Sequence, residues 1–528
     1  MDSLKLAPSS RWVARLAVVF LVSLFAVNVY RALTQAVVCD EAFSYRLFLS
    51  RKPRILFTTF DANYHVLHTW LTYASVKALG ISAITLRIPS LAACILYFTA
   101  VYRISRRWFG TTPLLLLSVT LLTINPFVLD FMSVARGYGM ALAFFSWAMS
   151  EALCASVEEA RVLLRIGILL ALSVACNLTF VYPSSALAVL IAGTVLCSRN
   201  SSLSLLERAK KILYRMAAPG LAVALVILVP PLSHIRPNTF YVGTDNLFEM
   251  TASLLMASLR YHDCDFIANR GCYYPVLYPW GYRVAQALFF TCFAAAAVLF
   301  WRRCRAAPGL ESDSVGDAGL ISAGTLFLTA GFNIATHHLF GQVYPVTRMG
   351  LYFLFLVPLC FLAACRWLWS LRSPARAAAW LWTAALVVLA VALASEFDVR
   401  YYAEWRYDAG SRDMINLVRK MHGGGSRPVR LAASFPLDMA LDYYRQVLGI
   451  EWLKPIGRDK PAEGYDYYAL IADDLHYIDE LQLRKVYVNE VSGSALAVPS
   501  SYGSSTLPAA SGNAAGGAGS TRIEGKTP

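Results

Sequence analysis

The chain has 528 residues, 57% of them apolar and only 15% charged, against roughly 25% charged in soluble globular proteins. That composition excludes a wholly soluble protein and predicts a polytopic membrane protein. The formal charge of +14 lies in short clusters between apolar runs and forms no basic stripe, so it points to membrane topology and excludes nucleic acid as a partner.

Taken in chain order, apolar runs near the roughly 20 residues needed to cross a bilayer core fall approximately at 14–33, 84–103, 112–130, 138–155, 163–180 and 183–198. They continue at 214–233, 284–301, 319–337, 348–365 and 377–396. The first is too long for a signal-peptide core and has no small-residue cleavage site at its end, so it reads as an uncleaved span. Segment 65–80, "HVLHTWLTYASVKALG", is ambiguous. Counting it as a span puts Arg103, Arg106 and Arg107 outside and inverts every later loop. Leaving it out gathers nearly all basic clusters on one face, from Arg11 and Arg15 through Arg302, Arg303 and Arg305 to Arg366, Arg372 and Arg376. The positive-inside rule therefore predicts eleven spans with the N-terminus in and the C-terminus out. Segment 65–80 becomes an amphipathic helix at the outer interface.

Four pieces are then outside: 34–83, the turn 131–137, the loop 234–283, and everything after about 397. Within 397–496, "PVRLAASF", "YDYYALIA" and "KVYVNEV" read as strands, while "SRDMINLVRKM" and "PLDMALDYYRQVLG" read as helices. This predicts a small extracytoplasmic α/β domain behind a transmembrane domain, 1–396. The Ser-, Gly- and Ala-rich 497–528 is expected to be a disordered tail. The cysteines sit mostly in apolar runs with no zinc-site spacing. Cys264 and Cys272 share one outer loop and would pair in an oxidising compartment. No internal repeat is visible.

The chemistry-bearing residues converge on the outer face. "VVCDEAFSYRLF" carries Asp40 and Glu41, and "FDANYHVLH" carries Asp61, Asn63, His65 and His68. "NPFVLDFMSVARGYGMAL" carries Asp130, Arg136 and Tyr138; "THHLFGQVYPVTRMGLYF" carries His337, His338, Tyr344 and Arg348. Singly, each has a plain reading: a helix exit, an interfacial histidine, an arginine reaching head groups. The GxG of "RGYGMAL" alone says nothing about nucleotides. Together they suit transfer chemistry on a phosphorylated lipid. A carboxylate can accept an acceptor's proton or hold a divalent cation, and an arginine can clamp a phosphate and stabilise it as a leaving group.

Over about 110 residues the chain resembles the GT-C class of membrane glycosyltransferases, in the branch of protein O-mannosyltransferases and the lipid A aminoarabinose transferase. "CDEAFSYRLFLS", the His-containing "FDANYHVLHTW", "GISAITLRIPS" and "ARGYGMALAFF" carry the likeness, in that order; "YPVTRMGLYFLFLVPL" is similar to a later arginine-bearing span. Many members have a double-proline "HPPL" motif where this chain reads "YHVLH". The resemblance implies inverting single-displacement transfer of a hexosyl or pentosyl group from a polyprenyl-phosphate donor. The acceptor would be a glycan, lipid or protein on the extracytoplasmic face of a plasma membrane, in the style of a bacterial inner membrane. By the same resemblance Asp40 is the general base, with Glu41 supporting it and Asp130 a second acid. Arg348 and Arg136 hold the phosphate, and Asp61, His65, Tyr138, His337, His338 and Tyr344 surround the substrates. A divalent cation (Mg or Mn) at Asp40 and Glu41 is compatible with the class. The rival reading, a transporter or lipid flippase, expects charges near the bilayer midplane and repeated halves; the spans' interiors here are nearly free of charge. A reporter fused after residue 496 is expected on the outer face, and a cytoplasmic signal would overturn the eleven-span topology.

Overall fold

The structure, a computed structural model, describes residues 11–198, 203–236, 239, 242–263, 314–371, 376–423, 427–458 and 460–502. Its first long helix, α1 (Arg11–Thr34), is followed by the short α2 (Cys39–Ser44), α3 (Val66–Leu79) and α4 (Ala83–Phe109). After these come α5 (Pro113–Thr123), α6 (Pro126–Phe131), α7 (Gly137–Cys154) and α8 (Ala160–Cys176). The membrane portion closes with α9 (Leu178–Leu196), α10 (Leu205–Leu232), α11 (Leu247–Leu259), α12 (Ser314–Phe340), α13 (Thr347–Ser370) and α14 (Arg376–Ser395). Seven of the described helices are long and apolar enough to cross a membrane: α1, α4, α9, α10, α12, α13 and α14. The expected span 284–301 and the Cys264–Cys272 pairing lie outside the described residues.

Two expectations are redrawn by local chemistry. Segment 112–130 is not one continuous helix. Pro126 supplies no amide hydrogen, and the residue before a proline is pushed out of the helical region. Asn125 accordingly leaves helical geometry, and its side chain caps the next helix through the amides of Phe127 (3.1 Å) and Val128 (3.3 Å). Likewise the segment read as 163–180 ends its helix at Cys176, where Asn177 turns extended and caps the 3-10 turn that opens α9. Segment 65–80 is helical as read, with one side of α3 (His68, Thr69, Thr72, Val76) buried against the bundle.

Beyond α14, a 3-10 turn (Ala403–Gly410) and α15 (Ser411–His422) lead into β1 (Leu431–Ala433), α16 (Leu437–Val447), β2 (Tyr467–Leu470), β3 (Leu483–Val488) and β4 (Ala495–Pro499). The sheet order is β1-β2-β4-β3, with β1 and β2 parallel and the other pairs antiparallel. β4 corrects the tail boundary. Ala497 and Val498, assigned to a disordered tail from 497, are fully buried in an interior strand. Short apolar side chains suit that place, because β4 is flanked by strands on both edges. Residues 503–528 lie outside the described residues, and a reporter fusion belongs after Tyr502.

One end of the bundle is organised by a single guanidinium. Arg87, on α4, has no exposed surface. It donates to both carboxylate oxygens of Glu41 (Nε to Oε1, 2.8 Å; Nη2 to Oε2, 2.6 Å) and to the carbonyls of Ala32, Gln35 and Ala36. Three of its five N–H groups thereby satisfy carbonyls left open where α1 ends. Glu41 also accepts the amides of Val38 (3.0 Å) and Ala135 (2.7 Å). Removing one partner of such a buried, hydrogen-bonded pair costs about 3–5 kcal/mol. Glu41→Ala is therefore expected to lower unfolding stability in detergent by about that amount, measured by chemical denaturation; a loss under about 1 kcal/mol would contradict the role given to this pair.

Candidate active site

With Glu41 turned inward, its neighbour on α2 faces the other way. Asp40 keeps 14% of its side chain accessible. Its Oδ2 lies 3.5 Å from Arg136 Nη2 and 3.6 Å from Arg348 Nη2. Both distances exceed those of a charge-assisted hydrogen bond, about 2.7–2.9 Å, so the carboxylate is loosely ion-paired to two guanidinium groups. Three residues distant in sequence, each named from sequence alone, are thus brought together.

Different elements hold the two arginines. Arg136 is the residue before α7 and is 1% exposed. It donates to the carbonyl (3.3 Å) and Oδ1 (2.9 Å) of Asn63 and to Ser44 Oγ (3.4 Å). Asp61 acts one step back: its carboxylate accepts the Asn63 amide (2.9 Å), building the turn that presents Asn63. Arg348 sits on the 3-10 turn that opens α13 and keeps 26% of its side chain accessible. Glu404, from the turn after α14, accepts from Arg348 Nη1 at 2.6 Å, and the Trp405 ring lies 5.7 Å from the same guanidinium. Thr347, just before Arg348, has φ +45°, rare for a β-branched residue, and its amide is held by Ser253 Oγ (3.0 Å). Backbone in that region is strained and persists only where surroundings fix it, as they commonly do at functional sites.

His65 lies beside this group. Its ring meets Tyr138 edge-on at 4.7 Å, and its Nδ1 is 3.3 Å from Asn177 Nδ2. The GxG of "RGYG" now has a packing reason. A Cβ at Gly137 would lie 2.2 Å from the Cys176 carbonyl and 2.6 Å from His65 Cβ, and one at Gly139 would lie 2.0 Å from the Phe131 carbonyl. Glycine lets α7 start hard against α6, α8 and His65. A small cavity lined by Glu41, Ser44, His65, His68, Thr72 and Ala135 runs behind them.

Other expected members are placed elsewhere. Asp130 is 1% exposed and ion-paired to Arg31 of α1. It also accepts from the Tyr261 hydroxyl (2.9 and 3.0 Å) and the Ala403 amide (2.9 Å). Its oxygens are occupied, as an anchor's would be. Glu41 likewise has both oxygens taken by donors. A divalent cation shared by Asp40 and Glu41 does not fit these residues, since the two carboxylates diverge. Among the described residues no group of three or more His, Cys, Asp or Glu is placed to hold a metal ion. His337 and His338 form their own group at the end of α12: His337 stacks on Tyr344 (4.3 Å), accepts a ring contact from His338 (5.1 Å), and bonds the Gln342 carbonyl (2.9 Å).

No family model and no curated protein sequence matches this chain. Two solved structures are similar to it in outline: ArnT from Cupriavidus metallidurans in the apo state (TM-score 0.43) and the same protein bound to undecaprenyl phosphate (TM-score 0.42). Each is 14% identical and covers 91% of this chain and 97% of that one. At these values nothing about this chain's chemistry follows from the likeness.

Burial, and then the charge of Arg136, holds His65 well below the ordinary imidazole range and brings His68 down to about 3. Unfolded histidine titrates near 6.5, so below that pH the unfolded chain binds protons the folded one refuses. Stability then falls as pH drops from about 6.5, for His68 down to about 3, at up to roughly 1.4 kcal/mol per pH unit. His68→Asn is expected to flatten the pH dependence of the unfolding midpoint between pH 6 and 4 relative to the parent; an unchanged slope would contradict a neutral buried His68.

Proposed function

We propose that this protein is a polytopic glycosyltransferase that moves a sugar from a polyprenyl-phosphate carrier to an acceptor hydroxyl or amine. The observation that carries the reading is the part-exposed Asp40 carboxylate between Arg136 and Arg348 at the helix-bundle end next to the α/β domain. A base alone would not need two arginines, and a phosphate clamp alone would not need a carboxylate between them. In a single displacement the acceptor attacks the anomeric carbon while the bond to the phosphate oxygen breaks, which inverts the configuration. Asp40 takes the acceptor's proton, and Arg348, backed by Arg136, takes the negative charge that collects on the departing phosphate.

By the positive-inside rule the site belongs to the extracytoplasmic face, so the donor has to arrive already linked to lipid. A bacterial plasma membrane is the compartment that fits. Glu41 and Asp130 serve as positioning residues: Glu41 sets the direction of α2, and Asp130 fixes the segment that supplies Glu404. Tyr138 and His65 form the wall nearest the cluster and suit contact with a sugar ring.

Asp40→Asn is expected to lower sugar transfer from a radiolabelled polyprenyl-phosphate donor in proteoliposomes by about 10²- to 10⁴-fold, with the protein still folded. Near-normal transfer by the folded variant would remove the base assignment.

A further inference from the structure

Resting on that reading, the cluster has a charge pattern that the proposed reaction would change in a specific way. Arg136 and Arg348 carry two positive charges, and Asp40 and Glu404 carry two negative ones, so the four groups sum to zero. The two carboxylates are not equivalent. Glu404 is held at 2.6 Å by Arg348 and is 3% exposed, whereas Asp40 stands off at 3.5 and 3.6 Å from its two partners and remains partly accessible. Its buried Oδ2 makes no hydrogen bond at those distances. Glu404 fastens the guanidinium; Asp40 occupies, loosely, the place where an anion would go.

We infer that Asp40 competes with the lipid phosphate for Arg136 and Arg348, and yields them when it receives the acceptor's proton. A donor phosphodiester brings one negative charge. On transfer, the acceptor's O–H (or N–H) bond breaks and its proton moves to Asp40. The sugar–phosphate C–O bond breaks with its electron pair, leaving a phosphate monoester with one further negative charge. Protonated Asp40 is neutral, so the arginines gain one unit of unmatched positive charge in the step that the phosphate gains one of negative. The sum over site and substrate, one negative charge, is the same before and after, so the step adds no new uncompensated charge in a poorly solvated place. Asp40 is thus both the base and the group that hands its own counter-ions to the leaving group.

The test is equilibrium binding of undecaprenyl phosphate to the full-length protein in nanodiscs of zwitterionic lipid, for the parent, Asp40→Asn, Arg348→Gln and the double variant. Removing the competing charge is expected to make Asp40→Asn bind the lipid about tenfold more tightly than the parent, although it transfers poorly. Arg348→Gln is expected to bind about tenfold more weakly, and the gain from Asp40→Asn is expected to vanish when Arg348 is also replaced. Equal or weaker binding by a folded Asp40→Asn protein that has lost transfer would overturn the competition while leaving the glycosyltransferase reading in place. Absence of binding by the parent would overturn both.

Discussion

The buried pair between Arg87 and Glu41 is the constraint on which the rest of this end of the molecule depends. An arginine inside a membrane helix is expensive unless it is fully paired. Arg87 meets that requirement with two carboxylate oxygens and three carbonyls where α1 ends. The bond network settles where α1 stops, how α2 leaves it, and where the turn carrying Ala135 and Arg136 comes to rest, because Glu41 also accepts the Ala135 amide. Adjacent residues on a helix do not share a face. Once Glu41 points inward, Asp40 is left to face Arg136 and Arg348.

A second set of buried contacts ties the α/β domain to the same place. Asp130 accepts the Ala403 amide, and Arg31 donates to the Tyr401 carbonyl (3.1 Å). Asp408 accepts the Cys39 amide at 2.6 Å, and the Tyr444 hydroxyl accepts the Val37 amide at 2.8 Å. Burial holds the Asp408 carboxyl well above its usual range, consistent with a group whose work is structural. The segment after α14 thereby reaches back to α1, α2 and α6, and delivers Glu404 to Arg348 in passing. The α/β domain is built into the cluster, since the residue that fastens Arg348 comes from its entry segment.

The sequence made the cluster visible in part. Asp40, Arg136 and Arg348 were readable because polar residues at the ends of apolar runs stand out, and charge-directed topology put all three at one end. Arg31 and Arg87 were legible in principle: an arginine inside an apolar helix must find a carboxylate, and Asp130 and Glu41 were the acids within reach. Glu404 carried no such signal, since its partnership depends on how a segment more than 50 residues away in sequence folds back. In the α/β domain β2, with Tyr467 and Tyr468, and β3, with Val486, Tyr487 and Val488, declared themselves, and β1 fell within the run read as a strand. β4, "ALAVP", did not, because its short side chains and Ser/Gly neighbours look like a tail until the strands on either side bury them.

The seat proposed for a lipid phosphate is one loosely held carboxylate and two arginines. Its most direct test is a cryo-EM structure of the protein with undecaprenyl phosphate. The predicted result is phosphate density within hydrogen-bond distance of the Arg348 guanidinium, with the Asp40 side chain moved off its position between the arginines and Glu404 still paired. Phosphate density at another place, such as the His337–His338–Tyr344 group, with the Asp40 ion pairs unchanged, would contradict it.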